Sequence, residues 1–181
     1  MTESIKDSEA FDIRILDNFL PSEVFKEMHK FVDNLEWSSK DNRYTKDLNT
    51  HWWFGSLISE EDGIRDIVKD NIKKFNKEII KFHFATYTLV AEKKAFVHRD
   101  YDPKYQNSQL IVYLKGDDDI HGGTGFYIKK ENEYILNTHI GFKENRAIFF
   151  NAGIYHSPLL WNSTINKSRI SMVYQLMTKD L

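Results

Sequence analysis

The chain has 181 residues, 41% of them apolar and 29% charged, with a net charge of −2 at pH 7, proportions that suit a globular protein with enough chain for a real core. It contains no cysteine, which excludes disulfides, zinc fingers, iron–sulfur clusters and thiol catalysis. No dense Lys/Arg block marks a phosphate-binding surface, no apolar run approaches a membrane span, and residues 1–7 lack the basic and apolar stretches of a secretion signal, so a cytoplasmic protein that binds neither nucleic acid nor membrane is expected.

Residues 11–19 alternate as a short strand that ends at Asp17-Asn18. Pro21 and Ser22 then open a helix whose apolar face is Val24, Phe25, Met28, Phe31, Val32 and Leu35. Residues 37–56 read as polar and irregular, with Trp52-Trp53-Phe54 set to cover one end of the core. Ile64, Val68, Ile72, Phe75 and Ile79 mark a second helix. From residue 82 the chain breaks into short Phe/Tyr/Ile/Val-rich runs at 82–90, 95–101, 109–115, 125–130, 133–139, 146–151, 154–160 and 169–176. Two helices followed by many short strands predict a mainly β chain, an antiparallel sandwich or jelly roll over 82–176 with helical support from 20–80, forming one domain over 1–181.

Chemistry concentrates on three residues. In Phe96-Val97-His98-Arg99-Asp100 the period of two puts His98 and Asp100 on one face of extended chain, where both can reach one metal ion. A third ligand must come from another strand, and His156 follows the strand Ala147-Ile148-Phe149-Phe150. Two imidazoles and a carboxylate form the facial set of non-haem Fe(II) oxygenases, which leaves coordination positions open for co-substrate and oxygen. On the last strand Arg169, Ser171, Val173 and Gln175 alternate with the apolar face Ile170, Met172, Tyr174 and Leu176. The planar guanidinium of Arg169 suits a bidentate grip on the carboxylate of a dicarboxylic co-substrate.

With these residues in place, the stretch from Phe82 to Leu176 resembles the Fe(II)/2-oxoglutarate-dependent oxygenases, especially the prolyl-hydroxylase-like branch. The likeness covers His98-Arg-Asp100, the strand Leu110-Ile-Val-Tyr-Leu114, the turn Gly122-Gly-Thr-Gly-Phe126, His156, and Arg169 with Ser171. Ile15-Leu-Asp-Asn-Phe-Leu-Pro21 before a helix is also similar to that branch. The resemblance implies a double-stranded β-helix in which His98, Asp100 and His156 hold Fe(II). Arg169 would bind the distal carboxylate of 2-oxoglutarate, assisted by Ser171 and by a strand tyrosine, either Tyr87 or Tyr113. Dioxygen would be the oxidant, ascorbate a stimulant, and hydroxylation the outcome. The expected substrate is a peptide or protein side chain, proline among the candidates, or a small amino-acid-like molecule.

Two other readings compete for the same residues. Nucleic-acid dealkylases of the superfamily generally carry a second arginine six residues after the co-substrate arginine, where this chain has Gln175. A non-catalytic jelly-roll binding protein would have no need of the full ligand set. Substrate choice is expected in the loops 37–56, 101–108, 116–124 and 160–168, since selectivity on a β scaffold resides in its loops. His121 in the third of these is placed to stand near a pocket mouth.

Overall fold

The computed structural model describes residues 11–37, 52–61, 63–91, 97–100, 102, 104–116, 122–159 and 168–181. The elements in chain order are β1 (Ile13–Leu16), α1 (Ser22–Phe31), β2 (Trp52–Leu57), α2 (Ile64–Ile72), β3 (Lys77–Ala91), β4 (Ser108–Lys115), β5 (Gly123–Lys130), β6 (Glu133–Ile140), β7 (Ala147–Asn151), β8 (Tyr155–Leu159) and β9 (Ser168–Asp180). The strands form a large antiparallel sheet in the order β1-β7-β4-β9-β3-β2 and a small one in the order β6-β5-β8. This is the mainly β jelly roll that the chain pattern predicts.

Strict alternation along β4 and β9 builds two cores from one sheet. Leu110, Val112 and Leu114 on β4, with Ile170, Met172, Tyr174 and Leu176 on β9, face the helices, where Ile64, Val68 and Ile72 of α2 pack against them. The opposite face of the large sheet looks at the small one, and Ile111, Tyr113, Phe126, Ile148, Phe150 and Ile154 fill the gap. The aromatic residues that make the sequence unusual are spent here: Phe126 meets Phe150 edge to face at 5.0 Å.

Two boundaries differ from the sequence reading. The helical pattern through Ile79 stops earlier, because α2 tightens into a 3-10 turn at 73–75 and Asn76 takes the left-handed conformation (φ 56°). Asparagine tolerates that region, and the turn reverses the chain directly into β3, so Ile79 is a strand residue packed on the helix-side core. Trp52-Trp53-Phe54, expected as irregular cover, runs instead in β2 and pairs with Val90, Leu89 and Thr88 at the edge of the large sheet. Large parts of the expected selectivity loops (38–51, 117–121 with His121, and 160–167) lie outside the described residues. No helix among the described residues is long and apolar enough to cross a membrane.

The chain after β1 is tied to the β6–β7 connection by side-chain bonds. Asn145, itself left-handed at φ 58°, donates to the Leu20 carbonyl at 2.9 Å and accepts from the Leu20 N–H at 2.8 Å. Arg146 grips Asp17 through Nε (2.7 Å) and Nη2 (3.1 Å), and Lys143 adds a third contact at 2.8 Å. The Arg146 bond above all, with Lys143, outweighs burial and lowers the Asp17 carboxyl from 3.8 to about 2. A depressed carboxylate stabilises the fold above its unfolded value, and that stabilisation is lost as pH falls through the folded one. Asp17→Asn is therefore expected to cost about 1 kcal/mol at neutral pH, after discounting for the exposed third of the side chain, and to converge with the parent protein near pH 2. Thermal melts across that range check it; parallel curves for the two proteins would count against the assignment.

Candidate metal centre

His98 lies on a short extended segment that adds to the outer side of β8. Its N–H donates to the His156 carbonyl at 3.0 Å, and the His156 N–H returns the bond to the His98 carbonyl at 2.8 Å. Two residues of directly opposed backbone thus set both imidazoles side by side, with ring centroids 4.4 Å apart. Alternation does the rest: Asp100 turns to the same side as His98, while Arg99 between them turns away and stacks over the Tyr155 ring at 5.3 Å. One Asp100 oxygen then lies 3.8 Å from His98 Nε2 and 3.7 Å from His156 Nε2. The three ligand atoms all fall within 4.8 Å of one another, the one such group of three among the described residues.

The donor set fits a divalent metal. Neighbouring ligands on an octahedral ion with bonds of about 2.1 Å stand about 3 Å apart, so closure requires the ligand atoms to draw together by up to about 2 Å. His156 is prepared for the role. Its Nδ1 faces the Ile154 carbonyl at 3.0 Å, which fixes the tautomer and presents Nε2 to the ion. Burial, then the neighbouring His98 and more distant Arg169, depress its pKa to about 3, and the Ile154 bond only partly opposes them. The ring is therefore neutral at ordinary pH, as a ligand must be. Phe150 and Phe126 wall it, the nearer ring at 4.9 Å.

Arg169 enters the same interior from β9. It is 6% exposed, yet it makes no ion pair with any described carboxylate. One guanidinium nitrogen donates to the Gly123 carbonyl, and the guanidinium carbon sits 5.0 Å over the Tyr113 ring. Its Nε, and Oγ of Ser171 two residues on, are both buried without a partner. Burial lowers the Arg169 pKa, against a smaller opposing pull from Tyr113. Two bare donors on one face of one strand, with an uncompensated positive charge, are the complement of a carboxylate. Gly123 is suited to its place by conformation and space, since φ is 109° and a Cβ there would stand 2.0 Å from the Ile140 carbonyl.

Of the two tyrosines, the structure brings only Tyr113 to this face. Its hydroxyl bonds Thr124 Oγ1 at 2.7 Å, and burial raises its pKa, with Arg169 and Thr124 opposing. Tyr87 corrects the sequence expectation. It pairs with Met172 on the helix-side face, packs on Phe31 at 5.5 Å, and points its hydroxyl at Met28 Sδ, 3.6 Å away. The β3 residues that share the Arg169 face are Thr86, Thr88 and Val90, opposite Val173, Ser171 and Arg169. Arg146, in the connection just before β7, is held by Asp17. Thr88, Thr124 and the Gly123 carbonyl escaped sequence reasoning; strand alternation would have flagged Thr88, whereas the other two depend on how the sheets stack.

Neither a family model nor a curated protein matches this sequence. Solved structures do. A prolyl-4-hydroxylase from Pseudomonas putida superposes with a TM-score of 0.55 at 11% identity, covering 94% of this chain and 95% of that one. The fold is the prolyl-hydroxylase fold. A Trichoplax adhaerens prolyl hydroxylase in complex with a hypoxia inducible factor peptide fragment gives 0.61 at 12%, covering 94% and 86%. HygX from Streptomyces hygroscopicus, with nickel, 2-oxoglutarate and hygromycin B bound, gives 0.59 at 8%, covering 97% and 87%. All three are similar in architecture across nearly the whole chain.

Proposed function

We propose that this protein is an Fe(II)- and 2-oxoglutarate-dependent oxygenase. It hydroxylates a peptide or protein side chain, proline among the candidates, or a small amino-acid-like molecule. The observation that carries the reading is the buried Arg169, without a carboxylate partner among the described residues, in the interior that also holds a two-imidazole, one-carboxylate metal set. A structural arginine at that depth would be paired, because an isolated buried charge is costly.

In this scheme His98, Asp100 and His156 hold the metal on one side, leaving its remaining positions open. With 2-oxoglutarate and dioxygen, bound iron supplies the oxidising power for an unactivated C–H bond. The chain's own part is positioning and exclusion. Arg169 and Ser171 fix the distal carboxylate and so set the co-substrate's orientation. Phe126, Phe150 and Ile154 keep the space beside His156 dry. The chain carries no cysteine, and no side-chain nucleophile is required. The similar structures support a peptide or a small molecule as substrate in general terms, since one holds a peptide fragment and another hygromycin B.

Succinate release from 2-oxoglutarate, with Fe(II) and ascorbate, tests the reading against pools of peptides, free amino acids and methylated oligonucleotides. Stimulation by peptides or amino acids, with a mass gain of one oxygen in the product, is expected. Stimulation by the oligonucleotides alone would replace it with a dealkylase, and no turnover in any pool despite bound metal and 2-oxoglutarate would leave a binding protein.

A further inference from the structure

The interior face of the large sheet carries one more polar group, which neither the metal ligands nor the Arg169 pocket uses. Along β4, Gln109, Ile111 and Tyr113 alternate toward the small sheet, and the last two are part of the core between the sheets. Gln109 is 3% exposed, and its Oε1 has no hydrogen-bond partner. A second amide oxygen in the same state, Oε1 of Gln106, lies three residues earlier on the chain joining Asp100 to β4. Native interiors rarely leave such acceptors bare, so each one asks for a donor that arrives from outside.

Gln109 lies toward the His156 side of this face, through Phe150, and away from Arg169. Its cross-strand neighbours are Phe150 on β7 and Gln175 on β9, and the Phe150 ring is the one that packs on His156 at 4.9 Å. Gln175 shares the strand face of Arg169 six residues further on, which is about 20 Å of extended chain. A five-carbon dicarboxylate spans roughly 7 Å between its ends on standard bond lengths. A co-substrate anchored at Arg169 therefore leaves the Gln109–Gln175 row to something else.

We infer that Gln109, with Gln175 beside it, is a specificity-determining residue that receives a neutral amide of the substrate, as in a peptide main chain or a carboxamide. The inference deepens the oxygenase reading and rests on it for the reaction. A glutamine amide carries both an acceptor and donors, the complement of another amide. Ile111 and Phe150 lie alongside Gln109, the polar neighbour is the neutral Gln175, and no described basic or acidic group is paired to it. An ammonium or carboxylate placed there would be buried without a counter-charge, at much greater cost than an amide that gains a hydrogen bond. The row thus selects peptides over free amino acids.

Saturation-transfer NMR on the full chain loaded with Zn(II) and 2-oxoglutarate tests this, using dipeptides capped as N-acetyl amides and the corresponding free amino acids as probes. Capped dipeptides are expected to bind and free amino acids not to. Gln109→Leu should weaken the dipeptides by about tenfold or more, because a bare buried partner discriminates strongly. It should bind Zn(II) and 2-oxoglutarate as before and melt at the same or a higher temperature, since it removes an unsatisfied amide. A merely structural glutamine would instead lower the melting temperature and leave dipeptide affinity unchanged. Gln109→Met, which keeps length and loses both polar atoms, repeats the comparison should the leucine variant not fold. Dipeptide binding that needs Gln109 but persists without metal and 2-oxoglutarate would uphold the inference and count against the oxygenase reading. Preference for free amino acids, no dipeptide binding, or equal binding in the parent and both variants would overturn it.

Discussion

Alanine at His98, Asp100 or His156 is expected to abolish 2-oxoglutarate turnover and to weaken Fe(II) binding by more than the 10–100-fold, roughly, that follows loss of a group that only orients a ligand. The three side chains converge from two opposed backbone segments, so each contributes one of three bonds and none has a described substitute nearby. Asp100 is the decisive case. It alone brings negative charge to the ion, and removing it leaves two imidazoles that offset nothing of the metal's charge. Calorimetric titration of the oxygen-free protein should give about one Fe(II) per chain, and the His98 and Asp100 variants should retain their fold, because those two side chains are only partly enclosed. Metal binding that survives the double replacement of His98 and Asp100 would show that the ion sits elsewhere.

The second large effect belongs to Arg169, and it separates binding from stability. Arg169→Ala removes one partner of a buried charge-assisted contact, a loss on the order of 2–5 kcal/mol, which corresponds to at least about thirtyfold in 2-oxoglutarate affinity. The same residue is a burden to the protein alone, since its Nε is buried and bare and no described carboxylate offsets its charge. Arg169→Met, which keeps most of the side-chain volume, should therefore match or exceed the parent in thermal stability without ligand while binding 2-oxoglutarate as poorly as the alanine variant. Unchanged co-substrate affinity in either folded variant would remove Arg169 from the pocket.

What could be read from the chain, and what could not, follows from the range of the interactions involved. His98 and Asp100 are two residues apart, and the period of a strand is enough to put them on one face. Arg169 and Ser171 stand in the same relation on β9. His156 was legible for a different reason: few histidines in the chain follow a buried apolar strand at all. Tyr87 shows where local reasoning gives out. Residues on both faces of β3 are buried, Ala85 and Tyr87 on one and Thr86 and Thr88 on the other, so an aromatic residue reads equally well on either. Only the register with β9, which sets Tyr87 opposite Met172 and Thr88 opposite Ser171, decides the matter. The helix-to-strand switch at Asn76 was hidden similarly, because Ile79 fits a spacing of three to four as well as one of two. The carbonyl of Gly123 on Arg169 arises from packing two sheets together, and the row of Phe150, Gln109 and Gln175 from pairing three strands distant in the chain; neither has a signature in sequence.

The most direct test of the central claim is a crystal structure of the protein soaked with Mn(II) and 2-oxoglutarate, with the metal located by its anomalous signal. One peak is expected, at about 2.1 Å from His98 Nε2, His156 Nε2 and an Asp100 oxygen, with the distal carboxylate of 2-oxoglutarate on Arg169 and Ser171. A metal bound away from these three residues, or a co-substrate whose carboxylate leaves Arg169 bare, would contradict it.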